Sequence, residues 1–234
     1  MDGSRLAALD NVAHTVWVRR QLISIDSGVE AMLLWHGCLL TLSGDTDCLT
    51  MFDLISGQPL LTTPAGIYPQ DMCLLPGSRL AVCGGGDGLL RIFRLPELWL
   101  EQRLPLRGCV QRVACAAGQL YALCTQENDG LCTQLWQIHG TIPTPLASWH
   151  GLPGALHADG LGRLWIASSE RLCCMHQGRM QEIPGDFGLI RHMDSREGTL
   201  LATDPVLDQC VMVERHGVAR TVYRGSVFHG VFKR

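Results

Sequence analysis

Gly37-Cys38-Leu39-Leu40-Thr41-Leu42-Ser43, a turn over Gly44-Asp45-Thr46-Asp47, then Cys48-Leu49-Thr50-Met51-Phe52-Asp53-Leu54-Ile55-Ser56-Gly57: this stretch decides the fold. A glycine opens an apolar run, a polar turn follows, and a second apolar run ends at another glycine turn. The same phrase starts from Gly3, Gly37, Gly77, Gly118, Gly162 and Gly198, at separations of 34, 40, 41, 44 and 36 residues. Self-similarity near 40 residues predicts an array of blades, each a small sheet that must stack on its neighbours to bury its faces.

Aligned on the glycine, the columns read physically. Three positions on stand Leu6, Leu40, Leu80, Tyr121, Trp165 and Leu201, all large; the next column holds Ala7, Thr41, Ala81, Ala122, Ile166 and Ala202, mostly small. Bulky and small residues alternating along a short extended run suit closely packed sheets, whose faces must interdigitate. Turns rich in Asp, Asn, Gly and Ser separate this strand from a second apolar one, such as Ile92-Phe93 or Leu135-Trp136. With an inner strand before each glycine and an outer one after the second turn, each repeat supplies four strands.

The expectation is one all-β domain over residues 1–234, a six-bladed β-propeller of four-stranded antiparallel blades. The N-terminus enters at the second strand of a blade (Gly3-Ser4-Arg5-Leu6-Ala7, close to Gly77-Ser78-Arg79-Leu80-Ala81), and the C-terminus stops after an inner-strand pattern, His229-Gly230-Val231-Phe232. Pairing of the N- and C-terminal strands would therefore close the sixth blade and cover open sheet edges.

Residues 37–57, continued through Gly66-Ile67-Tyr68-Pro69-Gln70-Asp71-Met72, resemble the YVTN-type (YncE-like) bacterial propeller repeat: an apolar strand ending in Asp, a glycine turn, then Gly and Pro before the next inner strand. Later copies depart from it, with Arg94 and Gln137 at the Asp position. The WD40 pattern is a poorer match, since the chain has no Trp-Asp or Gly-His dipeptide. The resemblance implies a binding or scaffold role, occasionally an enzyme; fold alone does not choose between them.

Charged residues make up only 18% of the chain and the net charge is −3, which gives no electrostatic case for nucleic acid or an anionic membrane. No apolar run approaches a membrane span, and Met1-Asp2-Gly3-Ser4-Arg5 lacks the basic start of a signal peptide. Eleven cysteines lie inside the repeats; the column holding Cys83 and Cys124 also accepts Leu9, Ser43, Ser168 and Asp204, so no disulfide framework is implied. Reduced, buried thiols fit a cytoplasmic setting.

Candidate site residues come from repeat register. The positions just before the inner strands are Glu30, Gln70, Gln111, Gly154, Arg191 and His229, five of them polar beside very apolar strands. In a propeller they would surround the channel mouth, where converging polar groups make a pocket. Asp45, Asp47, Asp87, Glu127, Asp129, Glu170, Asp204 and Asp208 lie in or near the neighbouring turns; hairpin hydrogen bonding accounts for them, and no Asp-x-Asp-x-Asp-Gly loop is present. Nine histidines include no His-x-His or His-Glu-x-x-His spacing, and Cys173-Cys174 is not a Cys-x-x-Cys motif. Gly84-Gly85-Gly86 is not a phosphate loop.

The functional expectation is a non-enzymatic recognition or scaffold module, binding a protein partner or a small polar ligand through Glu30, Gln70, Gln111, Arg191 and His229, with no metal or cofactor. The alternative is a metal-dependent, lactonase-like propeller hydrolase or lyase. It would nominate Glu30, Asn128 and Asp204 as ligands, of which only Glu30 has inner-strand register.

Overall fold

The computed structural model describes residues 7–10, 15–18, 21–25, 27–128 and 130–225, with side chains at 23–25, 27–126 and 130–225. Three of the repeat glycines share one turn. Gly37 follows His36 in a two-residue link, and both have positive φ, 81° and 43°. Ala117–Gly118 and Glu197–Gly198 repeat the pair. Two left-handed residues match the twist of the strands they connect, and glycine adopts that conformation without a Cβ penalty.

These turns join the first and second strands of antiparallel sheets whose strands run in chain order. β1 (Ala7–Asp10), β2 (Thr15–Val18) and β3 (Gln21–Ser24) form a three-stranded sheet. The first four-stranded blade is β4 (Val29–Trp35), β5 (Cys38–Ser43), β6 (Cys48–Asp53) and β7 (Pro59–Pro64). The second is β8 (Pro69–Leu75), β9 (Arg79–Gly84), β10 (Leu89–Arg94) and β11 (Trp99–Pro105). β12 (Cys109–Ala116), β13 (Gln119–Asn128), β14 (Gly130–His139) and β15 (Ile142–His150) make the third. β16 (Pro153–Ala158), β17 (Leu164–Ser168), β18 (Arg171–His176) and β19 (Arg179–Glu182) make the fourth. β20 (His192–Arg196), β21 (Thr199–Asp204), β22 (Gln209–Val213) and β23 (Ala219–Arg224) make the fifth.

Two expectations are corrected here. Five blades are four-stranded, not six, and no closure by sheet pairing is found among the described residues. The glycine count registers how many repeats begin, whereas the described part of the first copy is the three-stranded sheet β1–β3. The strand proposed to complete it, His229–Phe232, lies outside the described residues. Among those described, no helix is long and apolar enough to cross a membrane.

The chain divides into two compact units, residues 1–111 and 112–234, with the boundary inside β12. In the first unit β5 is apolar on both faces because each face has a neighbour. Leu39 packs with Ile23, Val29 and Phe52 on one side. Leu40, Leu42 and Met51 pack with Met72, Leu80, Val82 and Phe93 on the other. The second unit repeats the scheme: Leu123 and Leu135 meet Leu156, Leu164 and Ile166, while Trp165, Ala167 and Leu172 meet Leu200, Ala202 and Val211. The outer strands β7, β11, β15, β19 and β23 are mostly exposed.

Leu80 is wholly buried between two sheets, so Leu80→Ala should lower the unfolding free energy by about 2–5 kcal/mol through lost burial and a residual cavity. The half-exposed Leu60 of β7 provides the contrast: Leu60→Ala should stay within about 0.5 kcal/mol in the same urea titration.

Candidate functional site

Where β4, β8 and β16 begin, the sheet register slips. Val29 pairs with Ser43 and Ala31 with Leu42, which leaves Glu30 as the extra residue of a bulge in β4. In β8, Pro69 pairs with Gly84 and Asp71 with Cys83, so Gln70 is bulged in the same way. A bulge leaves its extra residue unpaired and bends the strand, re-aiming the side chain. Each of the two side chains then lies over a glycine of its own blade. A Cβ on Gly44 would sit 3.2 Å from Glu30 Cγ, and one on Gly85 would sit 3.0 Å from Gln70 Nε2.

Gly85 also lies against Cys109: its Cβ would come 3.3 Å from that sulfur. Gln111 hydrogen-bonds the Cys109 thiol, and burial is the larger influence, pushing that thiol up. Gln70 and Gln111, selected from the sequence by register alone, are thus both neighbours of Cys109 in the first unit.

The loop before β8 completes this edge. Tyr68 has φ 47°, a left-handed conformation uncommon for a bulky residue. It is held by Asp47 Oδ1, which accepts from Tyr68 N at 2.8 Å, and by Gly85 N, which donates to Tyr68 O at 2.9 Å. Asp47 O also accepts from Ala65 N at 2.8 Å, so one turn residue ties the first blade to the second. The outcome is an exposed Ile67–Tyr68 pair (50% and 67%) beside Gln70. Asp87 is committed elsewhere, to an ion pair with the buried Arg91; burial raises its carboxyl, but the Arg91 and Leu89 donors outweigh that and hold it below its usual value.

In the second unit Gly154 has the same register and no side chain; a Cβ there would meet Ile190 O at 2.5 Å. Arg191 is half-buried and its N–H donates to Thr203 O at 3.0 Å. Burial, then the like charge of Arg112, pushes its pKa down. His229 lies outside the described residues, as does the side chain of Asn128.

Asp204 is not available as a metal ligand in the way the sequence allowed. Fully buried, its carboxylate accepts from Gly188 N (2.6 Å), Leu189 N (3.1 Å), Val206 N (3.1 Å) and Leu207 N (3.3 Å). It knots its own turn to the loop ahead of β20. Among the described residues no three His, Cys, Asp or Glu side chains are grouped to hold a metal ion. All eleven cysteines are free thiols, and burial pushes Cys174 up to about 11.

One polar network was not visible in the sequence. Asp159, in the turn after β16, accepts from Arg163 Nε (2.6 Å), Trp165 Nε1 (3.0 Å), Leu161 N (2.9 Å) and Arg163 N (3.0 Å). Arg163 Nη2 donates to Gly198 O in the next blade at 2.6 Å, and its guanidinium lies 4.9 Å from the Trp165 ring centroid. His157 Nε2 and Ser195 Oγ, 2.8 Å apart, add a second link between the same two blades.

Burial would raise the Asp159 carboxyl, but its donors, Trp165 and Arg163 foremost, hold it below the ordinary value. Burial pushes the His157 imidazole down, against the opposing pull of Asp194 and Asp159. Both groups bind fewer protons folded than unfolded. Their contribution is therefore complete above the unfolded values, about 6.5 for His and 3.9 for Asp, and is lost as pH falls through the folded ones. Urea midpoints measured down from pH 7 should fall, and His157→Gln should flatten the part of the loss that begins near pH 6.5. Asp204→Ala, which takes the acceptor from the buried Leu189 N–H and from three partly buried ones, should cost about 1–3 kcal/mol at neutral pH, more than an exposed turn acid such as Asp208→Ala.

No family model matches the chain, and no curated protein matches it in sequence. Among solved structures it is similar to Kuenenia stuttgartiensis hydrazine synthase at a TM-score of 0.77 and 12% identity, over 92% of this chain and 74% of that one. A streptogramin B lyase matches at 0.70 and 12% identity, over 86% and 70% of the two chains. The virginiamycin B lyase of Staphylococcus aureus matches at 0.65 and 9%, over 84% and 70%. At such identities the likeness concerns the fold alone, and that fold is the β-propeller.

Proposed function

We propose that the chain is a non-enzymatic recognition module that takes a protein partner, or a small polar ligand, at the edge where its inner strands begin. Glu30, Gln70 and Gln111 are the contact residues in the first unit; Arg191 and His229 are separate contact candidates in the second. The observation that supports this most is the pair of bulges at Glu30 and Gln70. Each takes a polar side chain out of the ladder and lays it over a glycine.

The exposed Ile67 and Tyr68 favour a protein partner over a small solute. Amphipathic aromatic residues ringed by amides are typical of interface centres, where a few side chains carry most of the binding energy. Tyr68 is preset by Asp47 and Gly85, so little conformational freedom would be lost on binding.

The test fills the cradle without disturbing the sheet. Gly85→Ala places a methyl against the movable ends of Gln70 and Cys109, so thermal stability should hold to within a few degrees. Binding of the partner captured by the native protein should weaken about tenfold or more in Gly85→Ala and in Tyr68→Ala. Unchanged binding by both variants refutes the reading. So does one equivalent of divalent metal, in protein prepared without chelator, that supports lactone or ester cleavage.

A further inference from the structure

The turn between β10 and β11 is where one blade departs from the one before it. In the first blade the corresponding turn closes on itself. Asp53 Oδ2 accepts from Ser56 N at 2.9 Å and Ser56 Oγ at 2.7 Å, and Gly57 supplies the left-handed residue at φ 71°. At the same register the second blade has Arg94 for Asp53, Glu97 for Ser56, Leu98 for Gly57 and Trp99 for Gln58.

Each exchange opens the turn. Arg94 cannot accept from the turn amides; its Nη1 reaches back to Gly77 O at 3.0 Å. Leu98 takes the left-handed conformation at φ 53° and sinks its side chain into the core, 2% exposed, beside Leu95 at 3%. Trp99 is consequently turned out, 63% exposed. Between these groups lies an open surface groove of about 730 Å³ lined by Gly77, Ser78, Arg94, Leu95, Glu97 and Trp99. Its frame is fixed by the backbone: Leu95 N donates to Ser78 O at 2.9 Å, and Arg94 pairs with Trp99 and Arg79 across the sheet.

The charges in the groove are not matched to each other. Among the described residues Glu97 has no ion pair or hydrogen bond, and Arg94 uses only Nη1. We propose that this groove binds the C-terminal end of a peptide whose last residue is lysine or arginine. The indole face and the Glu97 carboxylate take the cationic side chain, since an aromatic face attracts a cation and the carboxylate adds the opposite charge. The remaining nitrogens of Arg94 take the terminal carboxylate, for which a guanidinium offers paired donors. A ligand carrying both charges engages both side chains at once, which a singly charged one does not. The groove lies at the opposite end of the blade from Gln70, so this inference stands apart from the recognition edge.

The test uses three probes: N-acetyl-Gly-Lys with a free carboxylate, its carboxamide, and N-acetyl-Gly-norleucine. The readout is the indole N–H resonance of Trp99 in the full chain, identified by its loss in Trp99→Phe. The free acid should move that resonance at millimolar concentration, and the other two should bind about fivefold or more weakly. Glu97→Gln should abolish the preference for lysine over norleucine, and Arg94→Gln the preference for acid over amide. These residues are exposed, and unchanged unfolding midpoints would show the variants folded. No movement of Trp99 overturns the proposal, as does equal binding of the three probes or discrimination that survives both substitutions.

Discussion

A strand that is apolar on both faces must be covered on both faces, and the structure follows from that constraint. β5, β9 and β17 carry almost no polar residue turned to water. An isolated hairpin with such strands would leave one face wet, so each sheet needs a neighbour on either side. Within each unit the clusters around Leu39 and Leu40, or around Ile166 and Trp165, are the two sides of that requirement. Outer strands, covered less, can take up polar residues, and loops at the two ends of each blade are free to diverge.

Divergence is concentrated in those loops, yet they are stitched tightly. Asp47 joins the first blade to the loop ahead of the second, and Asp204 does the equivalent inside the fifth. In both, a carboxylate answers backbone donors that no strand satisfies, the usual office of Asp in turns. Rigid loops of this kind set Tyr68 at a defined angle. The same logic places the buried Asp159 and Arg163 pair where two blades meet.

Much of the fold was legible because its rules are local. A two-residue turn with two positive φ angles asks for glycine at one place, so Gly37, Gly118 and Gly198 mark the blades in which that turn joins the first two strands. The columns of Leu40 and Thr41 were legible because burial on both faces removes polar residues from both. Register also singled out Glu30 and Gln70, although nothing in the sequence showed that a bulge would turn them out. The strand count was not legible, since a glycine marks the start of a repeat and not the number of strands it finally pairs. Asp204 was read as a turn acid, and as a ligand only under the alternative hydrolase reading; which amides it answers was not legible, because backbone partners leave no trace in side-chain chemistry. The Asp159 network joins residues 35 or more positions apart, and the repeat does not encode it. For the groove at Trp99 the clue was present, as the loss of the repeat's Asp at Arg94, and its meaning depended on where the freed turn would point.

The exposed outer strands have a consequence for the life of the protein at high concentration. A bare strand edge invites a second chain to pair with it, and Leu60, Leu61, Ile142 and Leu146 would make that pairing sticky. The chain guards these rims by denying donors. β7 begins at Pro59 and ends at Pro64, and β15 places Pro143 and Pro145 one residue apart. β19 is only four residues long and carries Arg179 and Glu182 at its ends. Proline cannot complete a ladder, and short charged strands template one poorly. Prolines in β7 and β15 and the short charged β19 thus make these rims poor templates for a second chain.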